Sequence, residues 1–305
     1  MQKIFDTGGK ITSLDEAEKV LLFDFSNLAF VGSFAKAYAT LTTRDGRRSG
    51  HIFGCFKKLY ACVNDLAAEK TALVFAFDEF AKHKKKLVPN YKAHRKPVEF
   101  DPRPDAKKMV RLLKCSTVVS KDQEADDTIA TFCNKVREKE IVVVSNDKDL
   151  YQLLAFKHVK LFNLIKHEFV TKVDRNKYFG VNRWKKVVLW KALFGDPSDN
   201  IPVAVPRVRR NKVHPIINES DGSISDFYEV LEKYKGDFSE KALYAFSNGK
   251  KQVIKNYKIV KLNRKLPYDL DEYRGNRKKL TAFLKHFDCY SLVDQIGFLL
   301  GEQDG

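Results

Sequence analysis

Apolar residues fall into short unbroken runs separated by longer segments with a helical repeat. VLLFDF (Val20 to Phe25), TALVFAF (Thr71 to Phe77) and IVVV (Ile141 to Val144) are continuous apolar stretches, the pattern of strands buried on both faces of a parallel sheet. Thr117 to Val119 is a shorter one. Between them, Ile52 to Ala68 places Ile52, Phe56, Leu59, Tyr60, Val63 and Leu66 on one face, Ala106 to Leu113 resumes that period, and Ala125, Ile129, Phe132, Cys133 and Val136 repeat it. Each is expected to be an amphipathic helix. The alternation predicts an α/β unit, a mostly parallel sheet flanked by helices. Further on, Val159 to Asn163 and Glu168 to Val173 read as a hairpin and Arg183 to Phe194 as a helix. Ile224 to Tyr234, Glu240 to Phe246, Lys250 to Lys258 and Leu280 to His286 read as helices of a mostly α region. The expected division is a polar leader over residues 1–18, an α/β domain over 19–180 and a helical region over 181–305.

The polar positions at the ends of these runs carry the chemistry. Asp24 lies near the end of the first strand, Asp78 ends the second, and Ser145, Asn146, Asp147, Lys148 and Asp149 follow the third. Ligands of open α/β sheets bind at that carboxyl edge. Glu124, Asp126 and Asp127 occupy the start of the next helix, with Asp122 as its N-cap. Either acidic group alone is explained by complementing a helix dipole or making a turn. Brought to one sheet edge they would repel each other unless cations lay between them, and Mg²⁺ prefers oxygen ligands. Asp196 and Asp199, in GDPSDNI, follow the helix ending at Phe194; alone they read as a turn.

Charge changes the picture. Lys+Arg total 56 against 39 Asp+Glu, a formal net charge of +17, which points to a polyanionic partner, most simply nucleic acid. The positive charge is clustered. The run from Lys82 to Lys96 includes Lys84, Lys92 and Arg95 with Tyr91 among them, suited to a backbone-tracking, base-stacking binder of single strands; with Pro97, Pro102 and Pro104 it forms a segment of about 80–105 over the acidic edge. Arg44, Arg47 and Arg48 form a second group, and Arg207, Arg209, Arg210 and Lys212 a third. Five scattered cysteines with no CxxC pair suit core packing in a reducing cytosol. No zinc-type spacing, membrane-length apolar run or signal-peptide pattern is present.

LLFDFSNL, VFAFD, QEADD, SNDKDLYQLL and GDPSDNI, in that order, resemble the motifs of the 5′-nucleases of the flap endonuclease superfamily, above all the phage branch that includes the T-even ribonuclease H. The resemblance covers residues 20 to 268. It implies a Rossmann-like (PIN-like) sheet, a basic arch, a C-terminal helix–three-turn–helix region and two Mg²⁺ ions, for which Mn²⁺ can substitute. By motif position, Asp24, Asp78, Glu124 and Asp126 would hold the first ion, and Asp127, Asp147, Asp149, Asp196 and Asp199 would serve the second. NYKAHR matches the arch base, making Lys92 and Arg95 the phosphate-contacting cations beside the catalytic Asp147, and Tyr91 a stacking residue. The implied substrates are RNA–DNA hybrids and branched or nicked DNA. The implied setting is RNA primer removal by a monomer in the cytoplasm of a phage-infected bacterium, alongside single-stranded DNA-binding protein or other replication proteins, with no membrane. The turn after GDPSDNI departs from the family: PVAVPRVRRNKV has no glycine to present backbone amides through a monovalent ion, so Arg207, Arg209, Arg210 and Lys212 are expected to contact the duplex directly. Two alternatives remain at this point, a non-cleaving binder of branched nucleic acid and a PIN-like single-strand ribonuclease.

Overall fold

A computed structural model describes residues 11–79, 82–93 and 98–302. The chain runs through β1 (Lys19–Asp24), α1 (Phe25–Ser33), α2 (Gly50–Leu66), β2 (Thr71–Phe77), α3 (Lys82–Leu87), α4 (Arg103–Val110), β3 (Lys114–Val119), α5 (Ala125–Lys135), β4 (Glu140–Val144), β5 (Val159–Asn163) and β6 (Glu168–Phe169). Next come α6 (Lys172–Phe179), α7 (Val187–Phe194), α8 (Arg210–Glu219), α9 (Ile224–Lys233), α10 (Glu240–Val260), β7 (Asp269–Arg274), α11 (Arg277–His286) and α12 (Ile296–Leu300). These strands make one sheet in the order β6-β5-β4-β1-β2-β3-β7. β5-β4-β1-β2-β3 are parallel and both edge strands are antiparallel.

Side chains alternating along each strand separate two cores. Val20 and Leu22, with Val74 and Val143, pack against Ile129 and Phe132 of α5 and against the helices beyond β6. Leu21 and Phe23, with Leu73, Phe75 and Val144, pack against Phe56 and Leu59 of α2, Met109 of α4 and Leu284 of α11. Phe23 stacks on Phe75 at 5.0 Å between centroids. Each such buried side chain stabilises the fold by about 1.5–3 kcal/mol. Phe23 is level with Phe75 and Val144 in the ladder, which brings Asp24, Asp78 and Asp147 to one edge.

The structure departs from the sequence expectation at several places. Ile11, Leu14 and Ala17 are buried, and Ile11 bridges to Thr71, so the expected polar leader packs into the core from residue 11 onward. β6 is only two residues long and a capping box at Thr171 starts α6 where the hairpin was expected to continue. The expected helix from Arg183 begins as a 3-10 turn, Trp184–Lys186, ahead of α7. Glu240–Val260 is one helix of 21 residues. The glycine in Ser247-Asn248-Gly249 reads as a break, but it serves a close approach: a Cβ there would lie 2.2 Å from the Ala204 carbonyl oxygen. Within the expected helical region, β7 returns to the sheet and pairs with β3. Its sequence DLDEYR is mostly exposed, a charged edge strand without an apolar run. The cysteines are all buried and unbonded.

α1 carries the first site residues, and two glycines fix its position. A Cβ on Gly54 of α2 would lie 2.0 Å from the Gly32 carbonyl oxygen, and one on Gly32 would lie 2.5 Å from the Cys55 backbone. Gly54→Ala should therefore destabilise by about 1–3 kcal/mol through overpacking. Gly236→Ala, which meets nothing within 4 Å, should change stability by less than about 0.5 kcal/mol. Thermal unfolding of the two variants compares them; equal melting temperatures would show that the helices can separate without cost.

Candidate active site

The acidic edge is assembled by strand ends and helix starts that hydrogen-bond one another. Asp24 ends β1 and caps α1, its Oδ1 accepting from the Asn27 amide at 3.0 Å. Its Oδ2 accepts from the hydroxyl of buried Ser145 at 2.8 Å, just past β4. Asn146 donates its side-chain amide to Asn27 Oδ1 at 2.8 Å, tying the ends of β1 and β4 together again. Asp78 Oδ1 accepts from the Ala125 amide at 2.8 Å, so the acid ending β2 caps α5. Asp147 in turn accepts from the Asp149 amide at 2.8 Å.

Asp126, Asp147 and Asp149 each present a carboxylate oxygen within 4.8 Å of the others. Burial, then the charges of Asp78 and Asp147, push the Asp24 carboxyl up to about 7. Burial, then Asp147 and Asp24, push Asp126 well above the ordinary carboxylate range. Among the described residues, Asp24, Asp78, Asp126 and Asp147 form no ion pair with a lysine or arginine. An all-carboxylate oxygen set with unbalanced charge fits a hard divalent cation.

The other acids are served by lysines. Lys84 of α3 is buried, its ammonium 2.7 Å from Glu124 and 3.0 Å from Asp127. Lys92 pairs with Glu124 at 2.5 Å and lies 3.8 Å from Asp199. Burial works against ionisation of Glu124, but these two ammoniums outweigh it and hold its pKa down to about 2. Tyr91 donates its hydroxyl toward Glu124 (3.0 Å) and Asp199 (3.1 Å). Burial, then those carboxylates, raise its phenol pKa, so it stays a donor. Lys191, inside the apolar helix α7, pairs with Asp149 and, at 2.8 Å, with Asp196. The Asp196 carboxyl is held below its usual range, Lys191 and Ser198 overcoming burial.

These contacts relocate several residues expected to grip nucleic acid. Lys84 points into the carboxylates, and Tyr91 is 3 % exposed with its ring in a cluster with Val88, Val188 and Ile201, which leaves no free face for a base. The segment is pinned to the GDPSDNI turn: Lys92 donates its amide to the Asp199 carbonyl at 3.2 Å, and Asn200 donates to the Asn90 carbonyl at 3.0 Å. Lys92 takes a positive φ of 55° there, backbone strain of the kind that functional segments retain. Arg95 lies outside the described residues. Ser145 stands where the sequence puts it, at the end of the third strand, whereas Lys191, Asn27 and Arg103 are not singled out by it; for Lys191 the signal is a lone lysine within VVLWKALF. Arg103 joins Asp24, Asp78, Asp126, Asp147 and Lys92 in lining a cleft of about 610 Å³.

The remaining basic groups lie elsewhere. Arg44, Arg47 and Arg48 are exposed beyond α1, Arg47 contacting His286 and Arg48 standing over Phe100. Arg207 and Arg209 are exposed between α7 and α8. Arg210 lies over Trp190 at 5.0 Å, and Lys212 donates to the Asp237 carbonyl. No described helix is long and apolar enough to cross a membrane.

A family model described as the 5′-3′ exonuclease N-terminal resolvase-like domain matches residues 19–181. Thermostable DNA polymerase I of Thermus thermophilus is 30% identical over 292 residues, 93% of this chain and 34% of that protein; the chain thus spans about a third of that relative's length. The 5′-3′ exonuclease of Buchnera aphidicola subsp. Schizaphis graminum is 24% identical over 257 residues, covering 81% of this chain and 88% of that one. The bacteriophage T5 flap endonuclease, solved as a pseudo-enzyme–product complex with DNA and metal ions, aligns with a TM-score of 0.62 at 16% identity, over 93% of this chain and 100% of that one. This last likeness is one of fold. The family match takes in the strand ends that carry Asp24, Asp78 and Asp147 and covers more than half of the sequence: the chain belongs to the 5′-3′ exonuclease family.

Proposed function

We propose that the chain is a Mg²⁺-dependent 5′-nuclease. It hydrolyses phosphodiester bonds at the 5′ ends of RNA–DNA hybrids and of flapped or nicked DNA duplexes, for RNA primer removal in phage DNA replication. The convergence of Asp24, Asp126 and Asp147 on one cleft without a cationic partner carries this reading. A site that only bound nucleic acid would gain nothing from unbalanced negative charge facing phosphates. The hybrid substrate and the phage setting rest on the resemblance to the T-even branch. The T5 relative, solved with DNA and metal ions, suits the same reading.

Of the set expected for the first divalent ion, Asp24, Asp78 and Asp126 keep that role, while Glu124 is taken up by Lys84 and Lys92 and Asp147 would replace it, with Asp149 beside them. Glu124, Asp127, Asp149, Asp196 and Asp199 would serve a second once their lysines turn away. Such ions supply Lewis acidity to the phosphate and lower the pKa of an attacking water. The protein's own contribution is positional and electrostatic. Lys92 borders the cleft, and its ammonium would help neutralise the scissile phosphate; the resemblance gives Arg95 the same role. Tyr91 holds Glu124 and Asp199 in place. Arg103 and Lys85 line the mouth, where a phosphate backbone enters. Arg44, Arg47, Arg48, Arg207, Arg209, Arg210 and Lys212 would hold the duplex.

Product mapping on 5′-labelled flap, nick and hybrid substrates with Mg²⁺ tests the reading directly, and a single-stranded RNA cleaved in preference to all three would favour a PIN-like ribonuclease. Asp147→Asn should lower cleavage more than about a hundredfold, about 2.7 kcal/mol in barrier, while duplex binding holds or tightens because a charge that repels phosphate is gone. Cleavage within threefold of wild type would remove Asp147 from the metal set.

The raised carboxyls also set a pH dependence. The folded state keeps a proton on Asp24 that the unfolded chain gives up near 3.8, and releases it only near 7. Between those values the folded state binds more protons, so this group's contribution to stability falls as pH rises through the window. Metal-free protein should therefore lose thermal stability from pH 5 to pH 8, and Mg²⁺ should restore it mainly at the upper end, by mass action on the ionised site. Melting curves with and without Mg²⁺ across that range check it; a Mg²⁺ effect independent of pH would count against Asp24.

Replacing Arg207, Arg209, Arg210 and Lys212 together with alanine should weaken duplex binding and spare hydrolysis at saturating DNA. The slope of log affinity against log salt should flatten by about 0.9 for each phosphate these side chains neutralise. An unchanged slope would assign them to solvent.

A further inference from the structure

The sheet has two open edges, and they are built differently. β6 is two residues long, and its Glu168 is paired with Lys166. β7 runs for six residues antiparallel to β3, and among the described residues nothing pairs with its outer side. It presents a row of unpaired backbone groups about 20 Å long. Edges of this kind are commonly blunted by proline, a bulge or lysine; β7 has no proline or lysine, and its register against β3 is unbroken. Its charge also runs against that of the chain. In a protein of net charge +17, it carries Asp269, Asp271 and Glu272 against one arginine. All three acids are exposed, and none forms an ion pair among the described residues. Other unpaired surface acids, such as Glu69, Glu138 and Glu229, sit on a turn, a bend and a helix, whose backbone offers a partner no ladder. A cavity of about 510 Å³ opens beside the last three residues of β7, lined by Glu272, Tyr273 and Arg274, by Lys114 and Ser116 of β3, and by Thr12. Thr12 is 7 % exposed, and its hydroxyl is buried with no hydrogen-bond partner, a polar group still to be satisfied. Charge on an edge strand also guards against self-association, since two copies of β7 would set carboxylates opposite carboxylates. That protection does not explain the sign: lysines would give it equally and would add to affinity for nucleic acid. Acids repel nucleic acid and select a basic strand.

We infer that β7 is a docking edge for an extended basic segment of a partner protein. The segment adds a strand to the sheet by backbone pairing, sets lysines or arginines against Asp269, Asp271 and Glu272, and brings a side chain at its end to the Thr12 cavity. This inference does not depend on the nuclease reading. Its probe is a fluorescent peptide of about seven residues, long enough to run the length of β7, alternating lysine with valine or threonine. Binding to the full chain is followed by anisotropy in metal-free buffer. The edge variant Asp269→Asn/Asp271→Asn/Glu272→Gln keeps side-chain shape and removes the charge. One control, Glu69→Gln/Glu138→Gln/Glu229→Gln, removes the same formal charge elsewhere; a second, Asp126→Asn/Asp147→Asn, tests whether the peptide has gone to the acidic cleft. Wild type and both controls should bind the peptide alike, and the edge variant should bind it at least tenfold more weakly. N-methylation of alternate peptide amides, which keeps the charge and blocks pairing, should cost at least tenfold in at least one of its two frames. The assignment is overturned if wild type does not bind the peptide, if the edge variant binds it as wild type does, if either control loses as much, or if neither methylated frame weakens binding. A wild-type dimer in sedimentation that the edge variant changes would give the edge to a second copy instead, and would also overturn it.

Discussion

Charge compensation at a desolvated sheet edge is the constraint on which this molecule turns. Carboxylates are delivered to one edge by strand ends and helix starts whose positions the core dictates, and they cannot all remain ionised there without counter-charge. Lysine ammoniums supply part of it: Lys84 and Lys92 on Glu124, Asp127 and Asp199, and Lys191 on Asp149 and Asp196. The deficit left on Asp24, Asp126 and Asp147 is what a divalent ion would fill. The site thus separates acids balanced by the protein from acids whose charge the protein leaves unbalanced.

The same pairing couples architecture to chemistry. Lys84 sits on α3 and Lys92 a few residues on, so the basic segment is held down by the acids it covers and by the GDPSDNI turn. Asn256, fully buried in α10, donates to the Ala192 and Pro202 carbonyls and fixes that turn against α7. A bound ion would compete with the lysines for the same oxygens, so filling the site and loosening the segment above it are linked events.

How much was legible in the sequence follows from what each element requires. Asp24, Asp78 and Asp147 could be read because a strand buried on both faces leaves an unmistakable apolar run, and an acid at its end has one place to go. The pairing of Lys84 with Glu124 and Asp127 could not: a lysine in a basic run reads as solvated until the packing of α3 is known. Lys191 was half legible, since an apolar helix tolerates one lysine only if it finds a partner, but the partner lies 42 residues away at Asp149. Tyr91 read as a stacking residue because an aromatic among cations usually is one; its burial depends on Val188, Ile201 and Ile259, all distant in sequence. β7 was hidden because an edge strand facing solvent has no reason to be apolar.

That edge strand has a consequence for how the chain acquires its shape. β3 is paired on one side by β2, and its other side stays open until residues 269–274 arrive. During synthesis the parallel core can collapse early, yet a row of unsatisfied backbone groups remains exposed while the intervening helices are made. Such an edge invites pairing with another nascent chain, and so distant a contact closes slowly. A fragment ending near residue 181, the end of the stretch matched by the family model, would leave one side of β3 unpaired and open to such pairing.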